Sequence, residues 1–288
     1  MRTHHLKTLA FIAILFLPVV QPICTEPARS GFQAEIDPVV NPWTNLHFER
    51  DPNDFAFAVV ADRAGGRRPG IFGQAVERLN LLRPEFVMCV GDLIDGASQE
   101  VAELDQQWDE FDGLVHRLNR PFFYTVGNHD IKDVTMEAVW AKRLGRKYYS
   151  FTYQDVLFLV LCSQDPPGRT IGDEQIEHFR EVLAQNKDTR WTFVFLHHPL
   201  WTYDQATGWK QIEELLADRP YTVFAGHTHT YEESIREGRK FYILGTTGGG
   251  SGLRGPDYGE FDHFLWVDMG KKGPEIGNIL LDGIRLEQ

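Results

Sequence analysis

Two histidines one residue apart, His227 and His229, follow the apolar run Tyr221-Thr222-Val223-Phe224-Ala225 and a glycine, Gly226. Such a run reads as a buried strand. Extended backbone would turn the two imidazoles to opposite faces, but a turn led by Gly226 relaxes that constraint and lets both rings meet one ligand or two adjacent ones. Imidazole is the commonest protein ligand for transition metals, and this pair is a candidate metal grip. A lone His-x-His is weak evidence, so the rest of the chain decides its meaning.

Four further polar clusters also follow apolar runs: Asp62-Arg63 after Phe55 to Ala61, Gly91-Asp92 after Phe86 to Val90, Gly127-Asn128-His129-Asp130 after Phe122 to Val126, and His197-His198-Pro199 after Trp191 to Leu196. Taken singly, each is an ordinary turn or helix cap. Together they place carboxylate, amide and imidazole groups at successive strand ends, with glycine in three of the five to bring backbone close. If the strands share sheets, Asp62, Asp92, Asn128, His197, His227 and His229 converge on one cleft, because ligands in α/β folds sit beyond the C-terminal strand ends. Oxygen and imidazole donors without thiolate suit manganese, zinc or iron. Six donors exceed what one structural zinc takes, whereas two ions sharing a bridging carboxylate use them economically.

In this order, Asp62, Gly91-Asp92, Gly127-Asn128-His129-Asp130, His197 and Gly226-His227-Thr228-His229 resemble the calcineurin-like metallophosphoesterase superfamily over residues 55 to 250. The resemblance implies a four-layer α/β/β/α sandwich with two mixed sheets and a dinuclear metal site. It implies that Asp92 bridges both ions, that Asp62 and His229 hold the first, and that Asn128, His197 and His227 hold the second. His197 is preferred to His198 because the family's ligand is the first residue after this strand. His129 becomes the non-ligand imidazole facing the leaving-group oxygen, with Asp130 orienting it. The implied reaction is hydrolysis of a phosphate mono- or diester by a metal-activated water.

The chain departs from the family's usual Asp-x-His at its first motif, where Asp62-Arg63-Ala64 has alanine in the ligand position. This puts completion of the first ion's shell in question and keeps open a non-catalytic or single-metal binding module on the same fold. A different metal-dependent hydrolase acting on amides or acyl esters is a third reading. Arg63 has two readings: a grip on substrate phosphate in part of the vacated space, or an ion pair with a surface acid. Asp95 stands three residues after Asp92, where purple acid phosphatases have a ligating tyrosine, and is read as a non-ligand.

The elements that must position these groups alternate. Helical spacing marks Phe72, Ala75, Val76 and Leu79; Val101, Leu104, Trp108, Phe111, Val115 and Leu118; and Ile176, Phe179 and Leu183, with Asp173 as N-cap. A hairpin turning at Gln154-Asp155 joins two strands, and another turns at Gly238-Arg239. Residues 248–252, Gly-Gly-Gly-Ser-Gly, read as a flexible loop that is no P-loop, because no Lys-Ser/Thr follows. Trp201 and Tyr203 are equally readable as cleft-lining or core aromatics.

The chain has 288 residues, 42% hydrophobic and 24% charged, enough apolar material for a sizeable core. A net charge of -12 argues against a nucleic-acid polymer as partner and leaves a small phosphate ester open. Residues 1–24 read as a signal peptide: Arg2 and Lys7 precede a short apolar core that Pro18 ends. Cys24 stands where a lipoprotein signal would have one, although Pro22 and Ile23 fit its small-residue requirement poorly. The expected location is therefore periplasmic or extracellular, with any membrane attachment through this leader or a lipid. Residues 25–53, rich in proline, read as a linker or surface arm, and 54–288 as the catalytic domain. Cys89 and Cys162 lie in apolar runs and read as small buried hydrophobes.

Overall fold

In the computed structural model, residues 54–166 and 168–281 are described. The expected leader, arm and Cys24 lie outside them. Among the described residues, no helix is long and apolar enough to cross a membrane.

The first half lays down β1 (Phe55–Val60), α1 (Ile71–Leu82), β2 (Val87–Cys89), α2 (Val101–Val115), β3 (Phe122–Phe123) and α3 (Val134–Arg143). The second half lays down β4 (Tyr149–Tyr153), β5 (Val156–Val160), α4 (Asp173–Gln185), β6 (Trp191–Phe195), α5 (Trp209–Leu216), β7 (Tyr221–Ala225), β8 (Glu232–Arg236), β9 (Arg239–Ile243), β10 (His263–Gly270) and β11 (Gly273–Leu280). One sheet runs β11-β10-β1-β2-β3 and the other β4-β5-β6-β7-β9-β8. Each is mixed: β1, β2 and β3 are parallel in the first, and β5, β6, β7 and β9 in the second, with antiparallel strands at the flanks.

The period of two along β1 explains the layering. Phe55, Phe57, Val59 and Ala61 enter an inter-sheet core with Phe158, Phe193, Phe195 and Phe224, while Ala58 and Val60 face α1, α2 and α3. A strand buried on both faces must be apolar at every position, as Phe-Ala-Phe-Ala-Val-Val is. The outer face of the second sheet is covered by Ile176, Phe179 and Leu183 of α4 and by Trp209, Ile212 and Leu216 of α5. The expected four-layer α/β/β/α sandwich with two mixed sheets is the observed fold. Each fully buried phenylalanine between the sheets contributes roughly 2–3 kcal/mol through apolar burial, and the stacked rings of Phe151 and Phe158, 4.7 Å apart, belong to this layer.

Local details differ from expectation. The third strand ends at Phe123 rather than Val126, and Thr125 then turns to Cys89, its hydroxyl donating to the Cys89 carbonyl at 2.7 Å. Gly172, not Asp173, occupies the N-cap of α4; Asp173 is its first helical residue, where its charge suits the helix dipole. The second hairpin turns at Glu237-Gly238, both with positive φ, one residue earlier than read from sequence. Cys89 and Cys162 are buried and unpaired.

Candidate metal centre

The strand directions bring the polar clusters to one edge. At the end of β1, Asp62 is fully buried. One carboxylate oxygen accepts from the His227 amide at 2.9 Å, and Oδ2 has no hydrogen-bond partner. At the end of β2, Asp92 adopts φ 56° after Gly91 at φ 96°. Its Oδ1 accepts from the His129 amide at 2.8 Å, and its Oδ2 lies 3.2 Å from His197 Nε2.

Close approach requires glycine at two places here. A Cβ on Gly127 would stand 2.2 Å from Asp92 Oδ1, and one on Gly226 would stand 2.2 Å from Asp62 Oδ2. Gly226 thus serves by its missing side chain rather than by its backbone freedom. The left-handed conformations fall on His227 and His229 themselves, at φ 75° and 57°, and they fold the His-x-His so that both rings face the cleft.

His197, after β6, is the hub. Its Nδ1 lies 2.8 Å from the Val90 carbonyl, a bond between the two sheets in which the ring nitrogen donates. That turns Nε2 into the cluster, 3.0 Å from Asn128 Oδ1, 3.2 Å from Asp92 Oδ2 and 3.2 Å from His227 Nδ1, where it donates while protonated and offers a lone pair to a cation once the proton leaves. The same device recurs twice: His229 Nδ1 is 2.6 Å from the Gly250 carbonyl and His129 Nδ1 is 2.7 Å from the Asp95 carbonyl, which frees each Nε2. His229 Nε2 lies 3.6 Å from Asp62 Oδ1. A Cβ on Gly65 would touch both free rings, 2.9 Å from His229 Cε1 and 3.5 Å from His129 Nε2. A cavity of about 190 Å³ opens beside His129 and Asn128, bounded by Asp95, Gly96, Ala97 and Lys132.

The electrostatics match a cation site. Burial raises the Asp62 carboxyl to about 8, with the neighbouring Asp92 adding to it and His197 opposing. Asp92 is equally enclosed, yet His197 and the His129 amide overcome its desolvation and hold it well below the usual carboxylate range. The difference has a geometric cause: Asp92 has an imidazole at 3.2 Å, whereas Asp62 has only the longer contacts and an orphaned oxygen. Burial works against protonation of His197, but Asp92 and Asp62 outweigh it and push it up to about 9. Burial, then the charge of His197, takes His227 down to about 4 and His198 to about 2. A buried, unpartnered carboxylate oxygen beside imidazoles with free lone pairs fits divalent cations and fits little else. Among the described residues, two groups of donor atoms are close enough to share an ion: Asp62, Asp92 and His197, and His197, His198 and His227.

The structure gives two expected residues different work. Arg63 is buried, donating to the Leu93 carbonyl and Glu110, with its guanidinium over Phe111. Its Nη1 and Nη2 groups hold the Leu93 carbonyl and Glu110 of α2, an ion pair of the kind the second reading expected. Asp130 does not touch the His129 ring. Its carboxylate accepts from the amides of Asp92, Leu93, Ile94 and Gly127, tying two strand-end turns together. Asp95 pairs with Arg67 at 3.1 Å, away from a ligand's task.

Two further strand ends border the centre without carboxylate and histidine pairs to mark them in the sequence. After β9, Gly248 and Gly249 are buried: their amides bond Asp262 and the Asp62 carbonyl, Gly250 bonds Gly65, and Arg68 clamps Asp262 and the Gly249 carbonyl. The expected flexible loop is a packed bed for His229. After β5, the Ser163 hydroxyl sits 3.1 Å from His198 Nδ1, and His198 packs 4.2 Å from the His227 ring. The apolar runs before both loops were the available signal.

The family model for calcineurin-like phosphoesterases matches residues 46–231. The chain belongs to the calcineurin-like phosphoesterase family. It is 31% identical over 182 residues to the human serine/threonine-protein phosphatase CPPED1, covering 54% of this chain and 57% of that protein's length. It is 24% identical over 203 residues to the 3',5'-cyclic adenosine monophosphate phosphodiesterase CpdA of Haemophilus influenzae, covering 65% and 69%. The fold is shared with a zebrafish (Danio rerio) dimetal phosphatase, at TM-score 0.59 and 15% identity over 79% of this chain and 99% of that one. It is shared too with the yellow lupin purple acid phosphatase, at TM-score 0.61 and 13% identity over 81% and 52%. Ala64, which follows Asp62-Arg63, is wholly buried and offers no donor.

Proposed function

We propose that the chain hydrolyses small phosphate mono- or diesters with two bound metal ions, of manganese, zinc or iron. The observation that carries this reading is the meeting of Asp92, Asn128, His197 and His227 around one point, with Asp62 and His229 alongside. In it, Asp62 and His229 would hold the first ion, Asn128, His197 and His227 would hold the second, and Asp92 would serve both. Ions bound there supply a water that is nucleophilic near neutral pH and screen the charge of the phosphoryl oxygens. The chain's residues do the remainder. The Val90 and Gly250 carbonyls fix the tautomers of His197 and His229. The Asp95 carbonyl orients His129 so that its Nε2 can carry a proton to the departing oxygen. Relatives named as a protein phosphatase and as a cyclic-nucleotide phosphodiesterase support ester hydrolysis as the class.

The test is direct. The mature chain, supplied with manganese, is assayed on a chromogenic phosphate monoester and diester beside Asp92→Asn. Turnover that depends on Asp92 supports the reading; absence of turnover on both esters with either manganese, zinc or iron overturns it.

Ala64 favours one second reading. With three donors, Asp62, Asp92 and His229, the first centre is short of a ligand, and a single-ion binding module follows if only the second fills. Metal analysis separates the two at about one or two ions per chain. Export rests on the leader reading of residues 1–24, with 25–53 as an arm and 54–288 as the working domain. N-terminal sequencing of the mature protein checks it.

A further inference from the structure

The loop between β5 and α4 belongs to the same edge as the metal-site residues, since β5 runs parallel to β6 in register Val160↔Phe195. Its described residues Gln164, Asp165, Thr170 and Gly172 are pinned. The Gln164 side chain donates to the Ile131 carbonyl, Thr170 bridges Gln164 and Thr207, and Asp165 accepts from the Gly172 amide and from Gln175. At its tip Arg169 is exposed and sits at φ 54°, a left-handed conformation that costs an arginine about 1 kcal/mol or more. Its guanidinium lies 4.9 Å over the ring of Tyr203. Tyr203 in turn stands 6.4 Å from His198, and His198 stands 4.2 Å from His227. Among the described residues no carboxylate pairs with Arg169, whereas Arg63, Arg67, Arg68 and Arg143 each have one.

A strained cation seated on an aromatic platform near the candidate metal centre, with no carboxylate paired to it among the described residues, is suited to a second anion. We infer that Arg169 and Tyr203 form a specificity subsite for a second anionic group on the substrate, a carboxylate or second phosphate carried beyond the scissile phosphate on a flat organic body. The inference rests on the phosphoesterase reading for its substrate but not for its measurement. Tyr203 preorganises the guanidinium by stacking, so less side-chain freedom is lost on binding. Trp201, two residues before Tyr203, packs against Phe241 and Trp209, and both aromatics are partly buried against the outer core.

The experiment compares binding of phenyl phosphate and 4-carboxyphenyl phosphate to the manganese-loaded full chain by calorimetry. The wild type is expected to prefer the carboxylated probe. Arg169→Ala is expected to lose roughly tenfold in affinity for it, the worth of one charge-assisted contact, and several times less for the plain probe. Arg169→Lys is expected to recover part of the preference, and Arg180→Ala, an exposed residue of α4 paired with Glu177, to keep it. Where turnover is measurable, the Arg169→Ala loss should sit in KM rather than kcat. No preference in the wild type, or equal loss on both probes in Arg169→Ala, overturns the subsite. Preference and its loss without hydrolysis of either probe leaves the subsite standing and overturns the phosphoesterase reading instead.

Discussion

Asp130 Oδ2 accepts the Asp92 amide at 2.8 Å, and so a residue with no place in the cleft holds the turn that presents its central carboxylate. The same oxygen takes the Gly127 amide at 2.8 Å, and Oδ1 takes Leu93 at 2.8 Å. The strand ends of β2 and β3 are thereby locked together beneath Asn128 and His129.

Asp130→Asn tests this lock. An amide has one acceptor oxygen and would turn its NH2 toward backbone donors, leaving buried groups unpaired. A loss of about 2–3 kcal/mol in unfolding free energy is expected, together with weaker metal retention. Urea unfolding and metal analysis check both, and wild-type stability would show that the turns hold without it.

His129→Ala separates chemistry from ligation. The ring is oriented by the Asp95 carbonyl and lies outside both groups of close donor atoms. Turnover is expected to fall by about 10²–10⁴ while bound metal stays near the wild-type amount. Loss of metal in parallel would make His129 a ligand.

Gly226→Ala should damage the centre by sterics alone. The new methyl would come 2.2 Å from Asp62 Oδ2 and 2.8 Å from Val90 Cγ2, deep in the packed edge. Overpacking of this kind costs about 1–3 kcal/mol. A lower melting temperature with reduced metal content is expected, and a melting temperature equal to wild type would show that the strand ends can part.

Metal binding should release protons. In the metal-free chain His197 is raised from 6.5 to about 9. A raised imidazole contributes stability that is fully present below about 6.5 and is lost as pH rises through about 9. The metal-free chain should therefore weaken between pH 7 and 9, and filling the site at pH 7 should expel the His197 proton. Calorimetric titrations in buffers of different ionisation enthalpy measure this; heats independent of buffer would contradict it.

Much of the fold was readable because period decides it. Phe-Ala-Phe-Ala-Val-Val cannot be half exposed, and the spacing of Phe72, Ala75, Val76 and Leu79 makes one helical face, all four buried. The candidate ligands were readable because Gly-Asp, Gly-Asn-His and Gly-His-x-His each follow an apolar run. Arg63 was not readable: whether a guanidinium meets a phosphate or Glu110 depends on where α2 lies, a separation of 47 residues that no local pattern encodes. Asp130 was misassigned for a similar reason, since adjacency to His129 says nothing of where its carboxylate points.

Sequence alone determined which groups stand at strand ends and the order in which they come, because apolar runs must be buried and polar groups must then leave them. Only tertiary structure decided their partners. The orphaned oxygen of Asp62, the orientation of the His197 and His229 rings, and the seat of the Arg169 guanidinium on Tyr203 arise from backbone carbonyls and side chains far apart in the chain. A hydrogen bond is settled by distance and direction within about 3 Å, and those are properties of the packed sheets rather than of neighbouring residues.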